Sequence, residues 1–139
     1  MTQEGLTDAQ LQRIHSALAS VPYAQLLGIE LEEAAVGSAT VAMDVRPEFL
    51  QNNGVVHGGA IASLVDTATA FAILSVLTPE ERVTTVDLTL SYLRPVTEGR
   101  LRATASVVRA GRRLIVVSAE VYRDDAKLTT TALSTYTKL

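Results

Sequence analysis

Apolar residues first recur at helical intervals. Leu11, Ile14 and Leu18 follow Thr7 and Gln10, a pair with the spacing of a capping box, and this predicts an amphipathic helix over about 7–19. In the stretch VPYAQLLG, Pro22 opens and Gly28 closes a further helical turn. Extended segments at about 29–36 and 38–46 flank Gly37 and read as a hairpin. Glycines 54, 58 and 59 lead into the long apolar run of about 59–77, ended by Pro79. From Val83 the period drops to two, with Val86, Leu88, Leu90 and Tyr92 alternating with Asp87, Thr89, Ser91 and Leu93. Strands follow at about 100–109, 113–123 and 127–138, separated by the turns VTEG, RAGRR and RDDAK.

The expected order is two strands, one long helix and four strands, preceded by short helices. With 139 residues and neither repeat nor linker, a single domain over 1–139 is expected. Consecutive strands joined by short turns favour an antiparallel sheet. A helix this apolar has no polar stripe to show to water, so the sheet is expected to wrap it along most of its length. Residues 60–77 approach membrane-spanning length but carry Asp66 with Ser63, Thr67, Thr69 and Ser75, and read as a buried helix of a soluble protein.

Charge and composition narrow the function classes. A net charge of -3 argues against a dedicated nucleic-acid binder. The positive charge is concentrated late: residues 90–113 carry Arg94, Arg100, Arg102, Arg109, Arg112 and Arg113 against one acid, Glu98. Without cysteine there is neither disulfide nor thiolate chemistry, and two histidines with no acid pair nearby make no metal site. The stretch MTQEGLTDAQ lacks the pattern of a secretory signal, so the expected location is the cytoplasm.

Candidate chemistry sits in QNNGVVHGGAIASLVDTATA, residues 51–70. An ionised carboxylate inside an apolar helix costs several kcal/mol unless compensated, so Asp66 calls for an explanation. It is either a structural acid bonded to a backbone donor or a neighbouring Thr, or a nucleophile or general base in a low-dielectric cleft. His57-Gly58-Gly59 stands at the predicted helix start, where free N–H groups and the helix dipole can polarise a carbonyl oxygen; the bland reading is a tight turn. Gly58 and Asp66 are separated by about 12 Å if one helix runs through both. One carbonyl cannot touch both in a single chain, so joint action requires at least a dimer.

NGVVHGGAIASLVDTATA, with TTVDLTLSYLRPV and the closing strands, resembles the hotdog-fold acyl-CoA thioesterases of the phenylacetic-acid-pathway and 4-hydroxybenzoyl-CoA type, over about residues 22–139. Residues 1–21 lie outside the likeness as a variable helical extension. The resemblance implies an α+β hotdog fold, an antiparallel sheet of about six strands around one central helix, and hydrolysis of small aromatic or medium-chain acyl-CoA by a homotetramer. By position it implies that Asp66 is the nucleophile or general base and that the Gly58 N–H binds the thioester oxygen. Gln51 then helps hold the thioester or water, Thr85 positions the attacking water with Thr84 as the neighbouring alternative, and His57 shapes the loop. Asn53, Gly59 and Phe71 are further substrate-contact candidates, with Phe49, Leu50, Val55 and Val56 as possible pocket lining. Some relatives carry a further hydroxyl one helical turn after the acid, where this chain has Ala70.

Coenzyme A, part of the substrate and not a cofactor, brings phosphates that need cations. Arg94, Arg109, Arg112 and Arg113 are the candidates. Tyr92, Tyr122 and Tyr136 fit strand positions without chemistry. No metal or redox cofactor, nucleic acid or membrane partner is implied. Two alternatives stand beside hydrolysis: an acyl-thioester dehydratase or hydratase on the same fold, and a non-catalytic acyl-CoA-binding module.

Overall fold

The computed structural model describes residues 5–139, so the first four residues of the expected extension lie outside the described residues. Thr7 caps helix α1 (Asp8–Ser20): its hydroxyl accepts the Gln10 N–H at 3.1 Å, while the Gln10 side chain accepts the Thr7 N–H at 2.9 Å. Helix α2 (Pro22–Leu27) ends at Gly28, whose φ of 71° is the left-handed conformation that glycine adopts without strain. Strands β1 (Glu30–Ala35) and β2 (Ser38–Asp44) form the hairpin, a 3-10 turn covers Pro47–Phe49, and the long helix α3 runs Gly58–Leu74. Strands β3 (Val83–Tyr92), β4 (Arg100–Ala110), β5 (Leu114–Tyr122) and β6 (Leu128–Lys138) complete one six-stranded sheet in the order β1-β2-β4-β5-β6-β3.

All pairings are antiparallel. Registers Val41↔Ala103, Ala103↔Val121 and Ala105↔Ala119 put small apolar side chains in rows on the concave face, which lets α3 approach closely. Leu64, Val65, Ala68 and Ala72 of the helix are fully buried against that face. This is the hotdog arrangement.

Three details depart from the sequence expectation. Helix α3 is covered on one side only: Ser63, Asp66, Thr67, Ala70 and Leu74, spaced at helical intervals, stay half-buried. A single sheet cannot enclose a cylinder, and Asp66 lies on this stripe instead of in the sheet-covered interior. The helix also stops at Leu74, short of the expected end at about 77; Ser75 is its C-cap, and the Ser75 hydroxyl accepts the Gly37 N–H at 2.7 Å. Arg13 of α1 donates to the carbonyls of Leu74 and of Leu77, the latter at 3.2 Å, and so caps this end from outside the helix. Finally, β3 carries a bulge. Thr85 pairs with Tyr136 and Asp87 with Thr135, so Val86 is the extra residue, and it is 59% exposed.

Candidate active site

His57 is the N-cap of α3. Its Nδ1 accepts the Gly59 N–H at 2.8 Å, which places the proton of the neutral ring on Nε2. The Gly59 donor is thereby used internally. The Gly58 N–H has no acceptor among the described residues and sits at the positive end of the helix dipole. A Cβ on Gly58 would lie 3.1 Å from the Tyr92 ring and hydroxyl, and that hydroxyl donates to the Gly58 carbonyl at 2.8 Å. Partial burial raises the Tyr92 phenol above its ordinary value.

A cleft of about 330 Å³ opens beside this helix start, lined by Gln51, Val55, Val56, Gly58, Tyr92 and Arg94. Five candidate residues named from the sequence, Gln51, Val55, Val56, Gly58 and Arg94, thus come together. Asn53 lies in the exposed turn that the Gln51 N–H closes on the Val55 carbonyl at 2.8 Å, and it does not line this cleft. Phe49 and Leu50 likewise stay outside; the Arg46 guanidinium stacks over the Phe49 ring at 4.5 Å.

Two turns along α3, Asp66 stands at the rim of a second cleft of about 350 Å³. Its walls are apolar and come from Phe71 and Leu74 of α3, Val83 of β3, and Ala17, Val21 and Tyr23 of the N-terminal helices. The Tyr23 hydroxyl meets the Ser63 hydroxyl at 2.8 Å and holds α2 against α3. Thr85 donates to Asp66 Oδ1 at 3.0 Å. The bulge decides this: continuing the Val86, Leu88, Leu90 phase backwards would turn Thr84 toward the helix, and the extra residue turns Thr85 there instead.

Tyr136, which the sequence presents as an ordinary strand residue, is the group that sequence reasoning missed. Its hydroxyl lies 3.1 Å from Asp66 Oδ1, 3.0 Å from the Asp66 carbonyl and 2.8 Å from the Thr69 hydroxyl. Burial pushes its phenol up to about 12, and the neighbouring Asp66 charge acts in the same direction. Its one sequence signal is indirect: a Tyr facing the core of a strand needs a partner for its hydroxyl.

The arginines divide. Arg100 is tied to Glu30, Glu32 and Asp44, and Arg102 to Glu32 and Asp124. Arg94, Arg109, Arg112 and Arg113 form no ion pair among the described residues and are exposed. They do not form one cluster within the chain. Arg94 donates to the Leu128 carbonyl at 2.6 Å at one end of β3, whereas the Arg113 carbonyl accepts the Lys138 N–H at 2.8 Å at the other. Ten strand residues, about 30 Å, separate those ends.

Residues 53–130 match the thioesterase superfamily. The chain belongs to that superfamily. By this membership it is a thioester hydrolase. It is 33% identical over 131 residues to the medium/long-chain acyl-CoA thioesterase YigI of Salmonella typhimurium, covering 84% of each chain. Among solved structures it is similar to the conserved protein PA5202 of Pseudomonas aeruginosa, with TM-score 0.81 and 33% identity over 86% of this chain and 94% of that one. It is also similar to the E. coli PaaI protein of the phenylacetic acid degradation operon, with TM-score 0.88 and 26% identity over 97% and 96%. In this thioesterase-superfamily chain the two clefts lie at separate stations of one helix, one beside Gly58 and the other beside Asp66. Among the described residues no group of His, Cys, Asp and Glu is arranged to hold a metal ion, and no helix is long and apolar enough to cross a membrane.

Proposed function

We propose that the protein hydrolyses medium-chain acyl-CoA thioesters to the free acid and coenzyme A. The observation that carries this reading is the carboxylate of Asp66, held by Thr85 through Oδ1 at the rim of an apolar cleft. The relative's action on medium- and long-chain acyl-CoA supports an aliphatic acyl group, as do the cleft's apolar walls. In the proposed reaction the Gly58 N–H, aided by the α3 dipole, polarises the thioester carbonyl, and Asp66 takes a proton from the attacking water or attacks the carbonyl itself. The thiolate of coenzyme A leaves and takes up a proton; on the direct-attack route water then hydrolyses the acyl–Asp66 anhydride, which releases the acid and restores the carboxylate. Gln51 is proposed to hold the thioester or the water, and His57 to keep the Gly58 N–H free by occupying its neighbour.

The site is proposed to form between two copies. The half-buried stripe of α3 and the free edge of β3, where Val86 and Leu93 are exposed, supply a face for a second chain. Because α3 carries its two stations about 12 Å apart, an antiparallel pair would bring the Gly58 cleft of one copy to the Asp66 cleft of the other. The same pairing carries Arg94 of one copy toward Arg109, Arg112 and Arg113 of its mate, where they would meet the phosphates of coenzyme A. A dimer of such dimers, and a cytoplasmic setting, extend the proposal.

Thiol release from phenylacetyl-, benzoyl-, octanoyl- and decanoyl-CoA, measured for the wild type and Asp66→Asn together, tests the reading. The expected result is preference for the medium chains and a loss of at least about a hundredfold in the variant. Equal rates in the two proteins would remove Asp66 from the mechanism. Tight acyl-CoA binding with no thiol release by the wild type would leave a binding module.

A further inference from the structure

Tyr136 is buried, 3% exposed, and Thr69 behind it is completely buried. Packing alone would be served by phenylalanine and valine, so the two hydroxyls need an account. Between them they carry two protons. The acceptors within reach are the Asp66 carbonyl, the two hydroxyl oxygens themselves and Asp66 Oδ1. The carbonyl belongs to the interior of α3, where the helix pattern supplies it with the N–H four residues on. Oδ1 bears charge and is the strongest acceptor of the four. The phenol proton therefore goes to Oδ1, and the Thr69 proton goes to the phenol oxygen, which polarises the phenol as a donor.

Oδ1 then receives two hydrogen bonds, from Thr85 at 3.0 Å and from Tyr136 at 3.1 Å, while no hydrogen bond reaches Oδ2 among the described residues. Both donors stand on facing positions of paired strands, since Thr85 and Tyr136 are Cα partners across β3 and β6. A carboxylate pinned through one oxygen by two groups fixed in a sheet cannot turn about χ2 without losing both. We propose that Tyr136, backed by Thr69, is a positioning residue that locks the Asp66 carboxylate plane so that Oδ2 is the oxygen offered to the substrate. This rests on the reading of Asp66 given above. It adds an identity for the reacting atom and a residue, on the last strand, that holds it.

The test is a set of steady-state measurements on the full-length protein with the acyl-CoA it turns over best: wild type, Tyr136→Phe, Thr69→Val, Asp66→Asn and the double variant Asp66→Asn/Tyr136→Phe. A lost orientation lowers kcat by roughly ten- to a hundredfold in Tyr136→Phe, with KM within about twofold. Thr69→Val, which keeps the phenol in place, lowers kcat by roughly threefold or more, again at constant KM, and Thr69→Ser restores it. In the Asp66→Asn background the loss from Tyr136→Phe disappears, because no carboxylate remains to be aimed. Should Tyr136→Phe not fold, the Thr69 pair decides alone. Wild-type kcat in Tyr136→Phe, or in Thr69→Val where that pair decides, overturns the proposal while a large loss in Asp66→Asn leaves the Asp66 reading intact. An unchanged rate in Asp66→Asn overturns both. A Tyr136→Phe loss of equal size with and without the Asp66 carboxylate would assign Tyr136 to packing.

Discussion

Thr85 and Tyr136 lie opposite each other on β3 and β6, and both hydroxyls converge on Oδ1 of Asp66, one helix away. That convergence depends on a single extra residue, Val86. Without the bulge Thr85 would point to the outer face with Asp87 and Thr89.

The two adjacent threonines therefore separate cleanly. Thr85→Val removes a donor from Asp66 and is expected to lower kcat about tenfold, the scale of one hydrogen bond to a charged group. Thr84→Val, on an exposed position that pairs with Thr137, is expected to stay within about twofold of wild type. Parallel kinetics on the two variants check this, and equal losses would place the bulge elsewhere.

Tyr136 makes stability depend on alkaline pH. Its phenol is raised to about 12 in the folded chain, chiefly by burial, against about 10 when unfolded. Between those values the unfolded chain has released the proton and the folded chain still holds it. Stability conferred by the neutral phenol is thus fully present below about pH 10 and falls as pH rises toward 12, by as much as about 3 kcal/mol. Urea denaturation of wild type and Tyr136→Phe from pH 8 to 12 reads the effect as a difference in slope. Parallel curves would exclude it.

Gly58 and Tyr92 are expected to be coupled. Alanine at 58 would meet the Tyr92 ring and hydroxyl at 3.1 Å and push them from the Gly58 carbonyl. Gly58→Ala and Tyr92→Phe each disturb the same bond, so the double variant should be more stable than the sum of single effects predicts, by about 0.5 kcal/mol or more. A thermodynamic cycle from denaturant midpoints measures the coupling, and strict additivity would show that Tyr92 moves aside freely.

Arg13 fastens α1 to the end of α3. Removing its guanidinium in Arg13→Ala leaves the Leu74 and Leu77 carbonyls without that donor and should cost about 1–2 kcal/mol. Because Ala17 and Val21 line the Asp66 cleft, KM should rise more for decanoyl-CoA than for butyryl-CoA. Chemical denaturation and a chain-length series provide the two readings, and an unchanged length preference would detach α1 from the cleft's shape.

The elements were legible in the sequence because they rest on local rules. The Thr7 and Gln10 capping box, the left-handed Gly28 and the change of period at Val83 all act within a few residues, and each element stands within a few residues of its expected place. The helix start was equally legible, since His57-Gly58-Gly59 is a local sequence. What escaped depends on neighbours distant in the chain. Tyr136 is seventy residues from Asp66, and nothing nearby in sequence distinguishes it from Tyr122. The bulge at Val86 breaks an alternation that is locally consistent with a regular strand. The four arginines without ion pairs, close together in sequence, are split between the two ends of the sheet because the eleven residues of β4 carry the chain from one end to the other between Arg94 and the 109–113 turn.

The cleft at Asp66 joins parts of different character. The acid, its two hydroxyl donors and the glycine start of α3 are built into the sheet and helix, while Ala17, Val21 and Tyr23 come from a segment docked from outside through Arg13, Gln10 and the Tyr23–Ser63 contact. The groups that hold the carboxylate and part of the cleft's apolar wall are in this way carried on separate stretches of polypeptide. Changes in the first two dozen residues could retune which acyl chain fits without disturbing a single group that aims the carboxylate, so diversification here would be expected to begin at the amino terminus and to leave the last strand alone.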